Sequence, residues 1–164
     1  MADWQMVEGI AASASAAISI GAIVIALKAN SASKKSLDVA MGGLENELRR
    51  SISDQSDKIN AAALAMRPLL SKKKRTELTP DEVDLLEAHE KSFAAYTENW
   101  LNAYEEACSK YLDRKVDVVR FKKAYVVEVR QLVESQNLKA RFDPTTSRYK
   151  AILKVYTAWE NHEG

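Results

Sequence analysis

The feature that most constrains this chain is a run of 19 residues without a charged side chain, from Gly9 through Leu27. A helix over this run would rise about 1.5 Å per residue and measure roughly 28 Å, close to the ~30 Å hydrocarbon core of a bilayer. The second half of the run is strongly apolar, whereas the first half is rich in Ala and Ser. The sequence therefore predicts an N-terminal transmembrane helix, with residues 1–30 as the membrane anchor.

Two other interpretations of this run remain open. A signal peptide needs a basic segment before its apolar core, but here Asp3 and Glu8 precede the run and no base does. The second alternative interpretation is a buried helix in a soluble bundle, because Ala, Ser and Gly do not require lipid. If the run spans a membrane, the lysines that follow it place the rest of the chain in the cytoplasm, at the inner membrane.

The single cysteine, Cys108, suits the cytoplasm, which is a reducing compartment, and excludes a disulfide framework within one chain.

Small residues recur at every fourth position of the apolar run: Gly9, Ser13, Ala17 and Gly21. In lipid, such a stripe lets helix backbones approach closely and associate through packing. We therefore predict that this face drives homo-oligomerisation. A pore lined by this face is a further hypothesis.

The remaining sequence predicts an all-α protein, because no stretch alternates with a period of two and no glycine lies between Gly43 and Gly164. Residues 31–67 form the predicted stalk helix, which Pro68 is expected to close. Its apolar seam has coiled-coil-like spacing with one stutter. The members of the seam are Leu37, Met41, Leu44, Leu48, Ile52, Gln55, Ile59, Ala62 and Met66.

Residues 68–164 are predicted to form a compact cytoplasmic bundle of about three helices. Thr79 is the expected N-cap of the first, with Pro80 at its first position, and Asp117 is the expected cap of the second. Either Thr145 or Thr146 is the expected cap of the last. Helical spacing predicts that the aromatic stripe of the first helix faces the core. Its members are Leu86, Phe93, Tyr96, Trp100, Tyr104, Cys108 and Tyr111.

The sequence contains no motif of a catalytic, metal or cofactor site. Glycine-rich phosphate loops and dinucleotide fingerprints are missing, and neither His89 nor His162 has a second histidine at zinc-ligand spacing. The chain is therefore predicted not to be an enzyme and to need no cofactor. The anion-binding candidates are Lys72, Lys73, Lys74 and Arg75, in a segment, residues 28–75, that carries 11 Lys/Arg and 5 Asp/Glu. This cluster fits a solvated linker, anionic lipid, or a nucleic acid.

Three segments carry a resemblance to known proteins: NWLNAYEEACSKYLD at 99–113, FKKAY at 121–125 and YKAILKVYTAW at 149–159. They resemble a loose group of small bacterial and phage-encoded proteins that have one N-terminal membrane helix and a cytoplasmic helical domain. The layout is also similar to that of CRISPR-associated accessory proteins that assemble into membrane pores. The resemblance implies an anchored helical protein and assigns no role to any single residue.

Together these observations predict a non-enzymatic, self-associating, single-pass membrane protein. The hypothesis extends to a pore-forming or membrane-perturbing effector in antiviral defence. The alternative is a membrane-anchored helical adaptor that binds a protein or nucleic acid at the cytoplasmic face.

Overall fold

The computed structural model describes residues 3–71 and 78–161, with side chains from Lys28 onward. The described residues form four α-helices and contain no strand, which confirms the predicted all-α class. Their bounds are α1 Asp3–Leu70, α2 Pro80–Leu112, α3 Val118–Glu134 and α4 Lys150–Glu160, with a short 3-10 helix at Lys139–Arg141.

The chain divides into two compact units, with the boundary between Met41 and Gly42. In the first unit, every side chain from Lys28 to Ala40 is exposed. The second unit contains the rest of α1 together with α2, α3 and α4. This boundary differs from the one predicted at residue 68, because Leu48 and Ile52 of the predicted stalk belong to the same core as the three later helices.

The core of the second unit is apolar and aromatic. Leu101, Val129 and Ile152 are completely buried and come from α2, α3 and α4. Around them, Phe121 packs on Tyr125 with ring centroids 4.6 Å apart, and Tyr104 meets Tyr125 edge-to-face at 6.2 Å. Offset and edge-to-face pairs of this kind add about 0.5–1.5 kcal/mol each beyond the area they bury.

Two helix starts agree with the local sequence signals. Thr79 accepts a hydrogen bond from the Glu82 amide, and Glu82 accepts one from the Thr79 amide, which is a complete capping box. Asp117 caps α3 by accepting hydrogen bonds from the amides of Val119 and Arg120. Both caps satisfy amides that have no partner within the helix.

Helix α4 begins at Lys150, so the prediction that Thr145 or Thr146 caps it is wrong. The carboxylate of Asp143 instead accepts hydrogen bonds from both threonine amides and holds them in a turn.

The C-terminal end of α1 also differs from its prediction, because α1 continues two residues beyond Pro68, to Leu70. Near a helix end, the proline removes only one of the last backbone hydrogen bonds.

Within the described residues, no helix has a stretch of sufficient length and apolarity to cross a bilayer. The side chains of the predicted anchor before Lys28, including Gly9, Ser13, Ala17 and Gly21, lie outside the described residues. Lys72, Lys73, Lys74 and Arg75 lie outside them as well. The anchor, the small-residue face and the basic cluster therefore stay predictions.

Candidate functional site

A cleft of about 720 Å³ opens between α1, α2 and α3 of the second unit. We call it the central cleft. Helix α1 contributes Arg49, α2 contributes Trp100, and α3 contributes Tyr125. The cleft is as large as typical small-molecule sites, which occupy about 300–1,000 Å³. Its other lining residues are Ile52, Ser53, Ser56, Tyr104, Ala124, Glu128, Gln131, Leu132, Ser135 and Leu138.

Two polar groups in the wall of the central cleft lack a hydrogen-bond partner among the described residues. They are the indole Nε1 of Trp100 and the hydroxyl of Tyr125, and both atoms are buried. Tyr125 as a whole is only 8% exposed. A buried donor without a partner costs about 1–3 kcal/mol, so such groups are rare in folded proteins.

The neighbouring polar groups of the cleft do have partners. The Tyr104 hydroxyl donates to the Glu128 carboxylate at 2.9 Å. Burial, followed by the negative charge of Glu128, raises the pKa of Tyr104 well above its ordinary value, so this tyrosine stays neutral. Burial also raises the pKa of Tyr125. The nearby guanidinium of Arg49 opposes that rise, although no hydrogen bond of acceptable geometry joins the two side chains.

A smaller cavity of about 440 Å³ adjoins the central cleft and shares Arg49, Ala124 and Tyr125 with it. We call it the basic pocket, because Arg49, Arg120 and Lys123 line it against a single carboxylate, Glu45. That carboxylate already has partners. It accepts a hydrogen bond from the Asp117 amide at 2.9 Å and lies 3.6 Å from the Arg120 guanidinium.

This arrangement is suited to binding rather than to covalent chemistry. The thiol of Cys108 is completely buried, and burial raises its pKa to about 12, so it is a poor nucleophile at neutral pH. Across residues 28–71 and 78–161, His, Cys, Asp and Glu side chains form no group able to hold a metal ion. The cleft does offer hydrogen-bond donors, an aromatic wall and positive charge.

Sequence reasoning placed the aromatic residues of the cleft in the core but did not identify the cleft. Trp100 and Tyr104 belong to the predicted stripe of α2, and Tyr104 is indeed buried at 4% exposure. Arg49 was missed. Its signal is its position beside Leu48 and one turn before Ile52, which puts a charge at the edge of an apolar seam.

Comparisons with known proteins add no further information on the site. No family model, curated protein or solved structure matches this chain.

Proposed function

We propose that this chain is a non-enzymatic membrane protein that self-associates through its N-terminal helix. In this proposal, residues 1–30 anchor the chain in the inner membrane. The helical unit that begins at Gly42 faces the cytoplasm, and assembled copies form a pore or otherwise perturb the bilayer. Antiviral defence is the proposed biological role, on the layout resemblance described above.

The observation that carries this proposal is that every side chain of α1 between residues 28 and 40 is exposed. Leu37 is 60% exposed and Val39 is 71% exposed. An exposed helical segment gains little packing energy, and packing provides most of the stability of helices in proteins. Burial of one such side chain in an assembly contributes about 1.5–3 kcal/mol.

The positions of these two residues favour a closed ring over a simple pair. Residues two apart on a helix point in nearly opposite directions, because successive side chains are separated by about 100°. One neighbouring helix can therefore cover Leu37 or Val39, but not both. In a ring each helix has a neighbour on two sides, as heterologous cyclic contacts require.

The test measures the mass of the full-length protein, extracted from membranes in detergent and analysed by light scattering coupled to size exclusion. Ala17→Leu/Gly21→Leu enlarges the small-residue face without lowering hydrophobicity, and Leu37→Gln/Val39→Gln removes the exposed apolar pair. We expect both variants to remain membrane-bound and to shift toward smaller species.

The matched control is Val119→Gln, which removes an apolar side chain that is 75% exposed in the second unit. Its mass should equal that of the wild type. The proposal fails if the wild-type protein is found in the soluble fraction without detergent. It also fails if neither double variant changes the oligomer mass.

A further inference from the structure

Helix α3 carries two apolar stripes, and the core of the second unit covers only one of them. The buried stripe consists of Phe121, Tyr125, Val129 and Leu132. The second stripe consists of Val119, Val126 and Val127. Val119 is 75% exposed and Val127 is 58% exposed, while Val126 is half-buried. Residues two apart on a helix are separated by about 200°, so Val119 and Val127 point away from the buried Phe121 and Val129.

Lysines occupy the positions between the exposed valines. Lys122 and Lys123 complete the i, i+3, i+4, i+7, i+8 spacing of one helix face that starts at Val119. We call this face the α3 outer face, and its members are Val119, Lys122, Lys123, Val126 and Val127. In the part of the chain that the structure describes, neither lysine forms an ion pair.

The charge around the α3 outer face is strongly positive. Residues 114–127 carry five Lys/Arg and one acidic residue, Asp117. The Asp117 carboxylate accepts hydrogen bonds from two amides at the start of α3. An outer face of a surface helix is normally polar throughout, so exposed valines between unpaired lysines are a feature that packing within this unit does not explain.

We propose that the α3 outer face docks on an anionic lipid surface. Apolar side chains of an interfacial helix enter the boundary between headgroups and acyl chains, and the basic side chains beside them attract anionic headgroups. Each base close to such a surface strengthens binding about fivefold. The long lysine stems lie along the apolar surface while their ammonium groups reach the headgroups.

Two other occupants fit the α3 outer face less well. A symmetric pair of copies would place the lysines of both chains against each other, and like charges across an interface are unfavourable. Single-stranded nucleic acid binds to exposed aromatic side chains on which its bases stack. The aromatic residues of α3, Phe121 and Tyr125, are instead buried.

The experiment places an environment-sensitive fluorophore, NBD, on the α3 outer face of the full-length protein. Val127→Cys provides the attachment site, because the native Cys108 is completely buried and is not labelled in the folded protein. The labelled protein is reconstituted in phosphatidylcholine vesicles with or without phosphatidylglycerol. We expect a blue shift of the emission only in the anionic vesicles. Raising the salt from about 0.1 M to about 1 M shortens the screening length from about 10 Å to about 3 Å and should largely reverse the shift.

This inference does not depend on the proposed anchor. If the labelled protein stays in the soluble fraction without detergent, the anchor proposal fails. The same protein is then added to preformed vesicles of both compositions, and docking of the α3 outer face predicts the same blue shift.

Two charge variants, each carrying the label at Val127→Cys, assign the shift to the α3 outer face. Lys122→Gln/Lys123→Gln should move the docking equilibrium roughly 25-fold toward the undocked state, because it removes two bases. Lys122→Arg/Lys123→Arg keeps both charges and should dock as the wild type does. Thermal melts of the two variants should agree, since both lysines lie outside the core.

The matched control for the label is Leu85→Cys, at an apolar residue of α2 that is 49% exposed and follows Asp84. A label there should show no blue shift that depends on anionic lipid. An equal shift at both label positions, an equal shift in neutral and anionic vesicles, or equal docking of the Gln and Arg variants would each overturn the proposal. A response of the Val127→Cys label to single-stranded RNA but not to anionic vesicles would assign the face to nucleic acid and overturn it as well.

Discussion

The N-terminus of α4 depends on a carboxylate from α2. Glu105 accepts hydrogen bonds from the amides of Ala151 at 2.8 Å and Ile152 at 3.0 Å. The side chain of the N-cap residue itself, Tyr149, makes no capping hydrogen bond. Glu105 therefore satisfies two amides that α4 cannot satisfy internally, and its negative charge lies where the helix dipole favours it.

The burial of these two amides sets the expected effect of Glu105→Ala on the free energy of unfolding. The two amides belong to buried residues, with Ala151 at 8% exposure and Ile152 at 0%. Each amide left without a partner costs about 1–3 kcal/mol. Glu105 is half-buried, so water can partly replace its carboxylate. We expect a loss of about 2–3 kcal/mol in the free energy of unfolding, the low end of the summed range. Glu105→Gln keeps one acceptor oxygen and should lose about half as much.

The assay is urea unfolding followed by circular dichroism at 222 nm. The matched control is Glu106→Ala at the adjacent residue, whose carboxylate forms an exposed ion pair with Lys110 at 3.8 Å. That pair contributes at most about 0.5 kcal/mol. Surface substitutions typically change the free energy of unfolding by no more than about 0.5 kcal/mol. If the unfolding free energies of the two alanine variants agree within that range, the capping role of Glu105 is refuted.

Four further predictions concern backbone, charge and pH. Ala at Gly42 and Gly43 should stabilise α1 by about 0.5–1 kcal/mol each in urea unfolding, because an added Cβ meets no atom within 4 Å. Arg114 has a φ of 56°, so Arg114→Gly should raise the unfolding free energy by about 1 kcal/mol. Because the folded-state pKa of Cys108 is raised to about 12, stability falls as pH rises above about 9. The urea midpoint should therefore drop less between pH 8 and 10 in Cys108→Ala than in the wild type. Replacing Lys72–Arg75 with Gln should weaken binding to anionic vesicles or RNA and reduce its salt dependence. Unchanged binding to both would show that these four basic residues belong to a solvated linker.

The parts of the fold that the sequence predicted are those with local signals. Thr79 and Asp117 cap helices through amides two or three residues ahead, so the pattern around each residue is sufficient. The start of α4 was predicted too early because its cap, Glu105, is 46 residues from the amide of Ala151. A sequence window does not contain such a pair.

The candidate site was beyond sequence reasoning for a related physical reason. Trp100 and Tyr125 fall on regular apolar stripes, and periodicity alone treats every member of a stripe as core. The cleft exists because α1, α2 and α3 leave space around these two side chains, and the indole and hydroxyl remain without partners. Interhelical spacing depends on side-chain fit across three helices.

Cys108 gives this protein an internal reporter of its own unfolding. It is the only cysteine among the 164 residues, and its side chain is 0% exposed in the core of the second unit. A thiol reagent can reach it only when that core opens. When opening and closing are fast relative to labelling, the labelling rate measures the population of the open form. The stability of the helical unit can therefore be followed through this native side chain, without any added probe residue.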